Sequence, residues 1–170
     1  ALYKTVDRQT LSETIFKNEY LPAFTVLPPN IPGNNPDSAM TESVEEATQL
    51  LADAGIDPAS ITLELTYRNV SPYTTLGQYL QSTWSQALGI NVELVPIEPN
   101  TYIDWRASRE TQPYGCYTGS WGSDFGDPSN WHNQNFTSQS DHYRTHWVNE
   151  EFDQLAAAAI TNQNEEERNQ

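Results

Sequence analysis

Two short segments of this 170-residue chain combine residue types that could hold an organic ligand. The first, Gly119-Ser120-Trp121-Gly122-Ser123-Asp124-Phe125-Gly126-Asp127-Pro128, sets a carboxylate beside flat aromatic area in a glycine-rich turn. The second, Arg68-Asn69-Val70-Ser71-Pro72-Tyr73, brings an amide and a phenol. Asp124 has the sharpest chemistry, because a partly desolvated carboxylate makes strong charge-assisted hydrogen bonds to an ammonium group. With Trp121, Tyr73 and Asn69 it would form a rim suited to an organic ligand that carries a positive charge. Local sequence also fits Asp124 as a turn residue bonding its own backbone. Asp127 before Pro128 is more plainly structural, a helix cap followed by a residue that needs no N–H donor. Trp84 and Trp105 fall on apolar helical faces and read as core, whereas Trp121 sits between glycines with no periodic packing partner.

Catalytic and metal chemistry find little support. Thr118-Gly119-Ser120-Trp121-Gly122 lacks the first glycine of a G-x-S-x-G nucleophile elbow. Asp124, Asp127 and Asn130 are not set in a calcium loop with its central glycine and terminal glutamate. His142 and His146 have the spacing of two ligands on a helix face, but Tyr143-Arg144-Thr145 offers no glutamate for zinc-protease chemistry. A carboxylate pair acting on a glycosidic bond, Asp124 with Asp127 or Glu98, stays open in principle because aromatic rings stack on sugars. No glycine-rich phosphate loop occurs. No catalytic residue, metal or cofactor is assigned from these patterns.

The elements that must position these residues follow from apolar periodicity. Ile61, Leu63 and Leu65 alternate with Thr62, Glu64 and Thr66, which predicts a strand. Ser71 as cap and Pro72 as first residue predict a helix carrying Leu76, Tyr79, Leu80, Thr83, Trp84, Ala87 and Leu88 on one face, closed by Gly89. Ile90, Val92 and Leu94 restore the period of two, so the whole is a βαβ unit with parallel strands. In such sheets ligands collect beyond the carboxyl ends of the strands. If the strand predicted at Tyr114 to Thr118 lies parallel to the first, both candidate segments leave the same edge.

Around this unit, Leu2 to Phe16 reads as one broken helix or two short ones, with Asp7 as an internal cap. The proline-rich stretch Leu21 to Pro36 reads as an extended crossing. Ser43 and Glu46 have capping-box spacing ahead of a stripe of Val44, Ala47, Leu50, Leu51 and Ala54 that Gly55 ends. Asn100 is placed to cap a helix with Tyr102, Ile103 and Trp105 inward and Asp104, Arg106 and Arg109 outward. Near the end, Phe152, Leu155, Ala156 and Ala159 stand at helical spacing, followed by Glu165-Glu166-Glu167-Arg168.

Composition bounds the partners. Eight Lys and Arg against 23 Asp and Glu give a formal net charge of −15, a field that repels nucleic acid phosphates and anionic membranes. Mean hydropathy is −0.68, yet five Trp, nine Tyr and five Phe supply enough apolar area to fold. No apolar run reaches the roughly 20 residues of a membrane helix. The length suits one α/β domain. The opening Ala1-Leu2-Tyr3-Lys4, without an initiator Met, predicts a piece of a longer chain. Cys116 stands alone, so the cysteine count leaves the redox compartment open.

A series of blocks then carries a resemblance: Val6-Asp7-Arg8-Gln9-Thr10-Leu11, Leu27-Pro28-Pro29-Asn30-Ile31-Pro32-Gly33, Leu50-Leu51-Ala52-Asp53-Ala54-Gly55, Leu88-Gly89-Ile90-Asn91-Val92-Glu93-Leu94, Gly119 to Pro128 and Asn149-Glu150-Glu151-Phe152-Asp153. In this order and spacing the chain resembles the extracellular solute-binding proteins of peptide and nickel ABC transporters, of the oligopeptide- and dipeptide-binding type. The resemblance implies an α/β periplasmic-binding-protein type II-like lobe, a mixed sheet with a βαβ unit flanked by helices. Residues 1–170 would form a single domain, the large C-terminal lobe of a bilobed protein that closes on its ligand. It implies an extracytoplasmic monomer, periplasmic or lipid-anchored at the outer face of the cytoplasmic membrane. Its partners would be a peptide and an ABC transporter permease. In peptide binders of this type the Asp of a W-x-x-D turn holds the ligand's α-ammonium, a pattern that Trp121 and Asp124 match. Arg106 falls near a basic cleft residue of oligopeptide binders, and Asn69 and Tyr73 near other cleft positions. The competing expectations are a sugar or other solute binder of the same fold, or a carboxylate-pair glycoside hydrolase module.

Overall fold

Ser43 opens the first regular helix, α1 (Val44–Asp53), its hydroxyl accepting from the Glu46 N–H at 3.1 Å. The reciprocal half of a capping box is absent. The Ser43 N–H donates instead to the Lys4 carbonyl at 2.8 Å, and Glu46 turns to an ion pair with Lys4. The computed structural model describes residues 1–107, 115–140 and 147–168, and within it the chain forms two units. The first comprises Ala1–Phe24, Met40–Tyr102 and Pro113–Gly119; the second comprises Thr25–Ala39, Ile103–Gln112 and Ser120–Gln170.

The first unit is built on the expected βαβ arrangement. Strand β1 (Thr62–Arg68) leads into α2 (Tyr73–Leu88) and on to β2 (Asn91–Ile97), and β1 pairs with β2 in parallel with Leu65 opposite Leu94. The helix α3 (Pro99–Ala107) follows, and β3 (Cys116–Tyr117) then pairs in parallel with the other edge of β1, giving the order β2-β1-β3. Because β1 is central, it departs from simple alternation. Leu65, Thr66 and Tyr67 are buried in succession, since both faces of the strand are covered there. Val6, Ala47, Leu65, Leu80, Trp84, Leu88, Ile90 and Val92 make one apolar core.

Two glycines, one inside α2 and one just after it, show how the helix is fitted to the sheet. Gly89 ends it in the left-handed region at φ 74°, the role that its position predicts. Gly77 sits mid-helix, where glycine costs about 1 kcal/mol against alanine. A Cβ there would stand 2.9 Å from the Tyr67 ring, so its absence lets the aromatic side chain of β1 lie against the helix.

Asp7 acts as the internal cap of the first segment. It accepts from the Thr10 N–H at 2.8 Å and hydroxyl at 2.6 Å between the short helical turns Leu2–Thr5 and Arg8–Thr10. Those two bonds lower the Asp7 pKa below the ordinary carboxylate value. Several local expectations shift. Ser71 caps nothing: Pro72, joined to it through a cis peptide bond, holds the N-cap position, and no side chain closes the start of α2. Asn100 lies inside the first turn of α3, which begins at Pro99, and the backbone bond from Tyr102 N–H to Glu98 O starts the helix. Tyr102 is buried, but Ile103 is 52% exposed and Trp105 and Arg106 are half-buried, so the inward face of α3 is narrower than the sequence suggests.

In the second unit, α4 (Pro128–Asn135) and α5 (Glu150–Thr161) are the main helices, with a last turn at Glu165–Arg168. Asn149 caps α5 through the Phe152 N–H. Asp153 on α5 accepts from the Ser138 N–H and hydroxyl, which lowers its pKa and ties α5 to the segment after α4. Leu155 and Ile160 are 64% and 61% exposed, so the apolar stripe of α5 is covered mainly at Ala156. Tyr114, Arg109, His142 and His146 lie outside the described residues.

Candidate functional site

The chain leaves β1 at Asn69 and β3 at Thr118, the carboxyl ends of two neighbouring parallel strands. Thr118 continues the ladder with its N–H on the Thr66 carbonyl at 3.0 Å, and Tyr102 donates its hydroxyl to the Thr118 carbonyl. Asn69 is exposed, its backbone N–H held by Ile97 O at 2.7 Å, which leaves its amide side chain outside the ladder. Tyr73 is half-buried at the start of α2. Arg68, the last residue of β1, lies near Tyr73 and Tyr102, its guanidinium carbon 5.7 Å and 5.8 Å from the two ring centroids.

In the second unit, Trp121 and Asp124 are brought together by one side chain, that of Asn130. Asn130 stands in the first turn of α4 and is 1% exposed. Its Oδ1 accepts from Trp121 Nε1 at 3.0 Å and from the Asp124 backbone N–H at 3.3 Å. Trp121 therefore does have an anchor, a polar one on the following helix. Asp127 is the helix cap that its place before Pro128 predicts, accepting from the Ser129 N–H at 2.9 Å, and it also pairs with Arg168. Burial works to raise the Asp127 pKa, but the hydrogen bonds from Ser129 and the charge and bond of Arg168 outweigh it and hold the carboxyl below its ordinary value.

Asp124 is different from Asp127 in what its carboxylate does. The residue is exposed, its backbone is fixed through Asn130, and among the described residues no hydrogen bond or ion pair reaches its carboxylate. Arg106, in the last turn of α3, makes none to it. A carboxylate held on a fixed backbone with its oxygens free can accept an ammonium without first breaking an internal bond.

Removing the Asn130 amide should be costly because it takes away the buried acceptor shared by two donors, one of them an indole N–H. Asn130→Ala is expected to destabilise the full-length protein by about 1–3 kcal/mol and to weaken ligand binding through the loosened turn. Urea unfolding followed by tryptophan fluorescence measures the first effect. An unchanged midpoint would mean that other contacts hold the Trp121 turn.

A separate recess of about 530 Å3 opens in the first unit, walled by Leu11, Phe16, Leu76, Leu80, Trp84 and Cys116 among others. None of Asn69, Tyr73, Arg106, Trp121 and Asp124 lines it. Its arginine, Arg8, is already bonded to Glu42 at 2.9 Å and to the Tyr3 carbonyl at 3.0 Å, so the recess offers no open charge to an ionic ligand. Cys116 beside it has its thiol pKa raised by burial, away from nucleophilic chemistry. Among the described residues no group of three or more His, Cys, Asp or Glu converges to hold a metal ion, and no helix is long and apolar enough to cross a membrane.

Comparison with known proteins decides the family. The sequence pattern of the bacterial extracellular solute-binding proteins, family 5 Middle, matches residues 1–143. The chain belongs to this family. As a family 5 solute-binding protein it is 28% identical over 164 residues to the oligopeptide-binding protein OppA of Bacillus subtilis, which covers 91% of this chain and 30% of that protein. It is 31% identical over 162 residues to the "Probable deoxycholate-binding periplasmic protein YgiS" of Escherichia coli, covering 91% of this chain and 29% of that protein. The solved structure of a periplasmic oligopeptide-binding protein, OppAIV of Borrelia burgdorferi, superposes with a TM-score of 0.86 at 25% identity, over 99% of this chain and 33% of that one. The chain thus spans about three tenths of the length of the curated relatives it matches. Two residues beside the candidate segments have contacts that the sequence does not foretell. In the sequence Asn130 stands out only as a calcium-ligand candidate beside Asp124 and Asp127, and Arg68 only as the first residue of the segment that leaves the first strand. Neither has a local pattern, because each acts through partners in other elements.

Proposed function

We propose that residues 1–170 form part of the large C-terminal lobe of an extracytoplasmic solute-binding protein that captures peptides and delivers them to an ABC transporter permease. In this reading the protein acts as a monomer and is not an enzyme, and it lies in the periplasm or is lipid-anchored outside the cytoplasmic membrane. The observation that carries the reading is Asp124: an exposed carboxylate without a partner among the described residues, in a W-x-x-D turn whose backbone Asn130 fixes. Asp124 takes the α-ammonium of the peptide, Trp121 supplies aromatic area beside it, and Arg106 supplies positive charge. In the first unit, Asn69 and Tyr73 are proposed as ligand contacts on their own ground, an exposed amide and a half-buried phenol at the carboxyl end of β1. Main-chain recognition of this kind leaves ligand side chains in hydrated space and gives affinity with little sequence preference.

The state of Asp127 argues against its serving as the proton donor of a hydrolase pair with Asp124. Acid-pair glycoside hydrolysis needs one carboxyl with a raised pKa as proton donor. Asp127 is instead held low and tied to Ser129 and Arg168.

A thermal-shift screen of the full-length protein against di- to pentapeptides, oligosaccharides and deoxycholate tests the reading. Ligand at about 100 times its Kd stabilises by about 2.7 kcal/mol, so peptides should raise the melting temperature measurably. Shifts with oligosaccharides or deoxycholate and none with peptides would end the peptide reading.

A further inference from the structure

The carboxylate of Asp127 is shared between two elements of the second unit. One oxygen caps α4 by accepting from the Ser129 N–H at 2.9 Å, and the other is held by the guanidinium of Arg168, 41 residues further on. With both oxygens engaged the carboxylate cannot rotate freely, so the first turn of α4 is fixed where Asn130 stands, its N–H on the Asp127 carbonyl at 3.0 Å. Asn130 Oδ1 in turn receives Trp121 Nε1 and the Asp124 backbone N–H. A continuous line of bonds thus runs from Arg168 through Asp127 and Asn130 to the W-x-x-D turn. That turn depends on such outside support: Gly122 and Gly126 stand where a Cβ would meet nothing within 4 Å, so packing at these two positions does not hold the backbone. Arg168 itself stands on a built support. Its N–H closes the last turn on the Asn164 carbonyl at 3.0 Å, and Asn164 and Asn162, the C-cap of α5, both donate to Glu167 of that turn. α5 also grips the chain just beyond α4, through Asp153 and Ser138, so the segment 149–168 braces α4 at both ends.

We propose that Arg168 is a positioning residue of the ligand turn: by holding Asp127 it fixes the start of α4, and through Asn130 it sets the Asp124 backbone and the Trp121 ring for the ammonium of a ligand. The affinity half of this proposal rests on the peptide reading; the geometric half does not. Both are tested on the full-length protein, as wild type, Arg168→Gln, Arg168→Lys and Asp127→Asn. Without ligand, fluorine NMR of the protein labelled with fluorotryptophan follows Trp121, its line assigned by Trp121→Phe, with Trp84 of the first unit as the internal reference. Arg168→Gln should shift or broaden the Trp121 line and leave the Trp84 line in place. Arg168→Lys, which keeps the charge, should bring it part of the way back. With ligand, titration calorimetry compares trialanine and N-acetyl-trialanine. Arg168→Gln should weaken the free-amine peptide roughly fivefold, within the range by which residues without ligand contact modulate binding, and leave the acetylated one within about twofold. Asp127→Asn keeps a capping oxygen but loses the charge, so it should reproduce both effects, and adding it to Arg168→Gln should cost little more.

A purely structural role would lower the melting temperature and weaken both peptides alike, because it carries no preference for the charged amine. That result overturns the proposal, as does a Trp121 line that does not move in Arg168→Gln. It is overturned as well if Arg168→Gln and Asp127→Asn weaken trialanine additively, since the two residues then do not act in series. Where Arg168→Gln unsettles the fold enough to move the Trp84 line, Asp127→Asn alone is read against the same criteria. If the wild type binds both peptides equally or neither, the peptide reading fails separately and the ligand-free spectra decide the positioning role. A Trp121 line that moves in Arg168→Gln and returns toward its place in Arg168→Lys supports it, and an unmoved line refutes it.

Discussion

Replacing Asp124 by Asn is expected to weaken binding of a free-amine tripeptide to the full-length protein by more than tenfold, the order seen when a desolvated ammonium loses its charged partner. The substitution keeps size and shape and leaves the backbone N–H that donates to Asn130 in place. The Asp124 carboxylate takes no bond from the described residues, so its loss breaks nothing inside the fold, and the melting temperature of the unliganded protein should stay the same. That combination distinguishes a ligand contact from a turn residue. An affinity within twofold of wild type would return Asp124 to a purely conformational role, and a large fall in stability would point the same way.

Trp84→Ala is expected to have the largest effect on stability. The side chain is 6% exposed, belongs to the core of the first unit and donates its Nε1–H to the Leu2 carbonyl at 3.2 Å. Truncating a buried Trp costs about 3–5 kcal/mol, and the cost rises with the volume left empty. Trp84 already walls the recess of about 530 Å3, so its removal enlarges an existing gap that its neighbours do not fill. A scanning calorimetry trace of the full-length protein should show the transition that contains this unit moved to clearly lower temperature. Trp121→Ala, at a half-buried position in the second unit, should move its transition less. Equal shifts for the two variants would contradict the placement of the core around Trp84.

What could be read from the sequence was whatever local geometry or strict periodicity dictates. The alternation from Ile61 to Leu65 and from Ile90 to Leu94, the helical stripe between them, the stop at Gly89 and the caps at Asp7, Ser43 and Asp127 each depend on a few residues within one turn or strand. The resemblance carried by the ordered blocks added the family. Features set by distant partners were not legible. Glu46 had the spacing to bond back to Ser43, but Lys4, distant in sequence, offered a cation to the one and a carbonyl to the other. Ser71 lost the capping role because the helix begins beyond Pro72. The bond from Trp121 to Asn130 crosses from a loop to a helix and has no periodic trace. Arg68 resembles any charged residue ending a strand until the two rings near it are seen.

The central claim is that a ligand ammonium docks on Asp124, and the most direct measurement is calorimetric titration of the wild-type full-length protein with trialanine and with N-acetyl-trialanine. Acetylation removes the positive charge and adds one small neutral group. The account predicts that the free-amine peptide binds more than tenfold tighter than the acetylated one; equal affinities would contradict it.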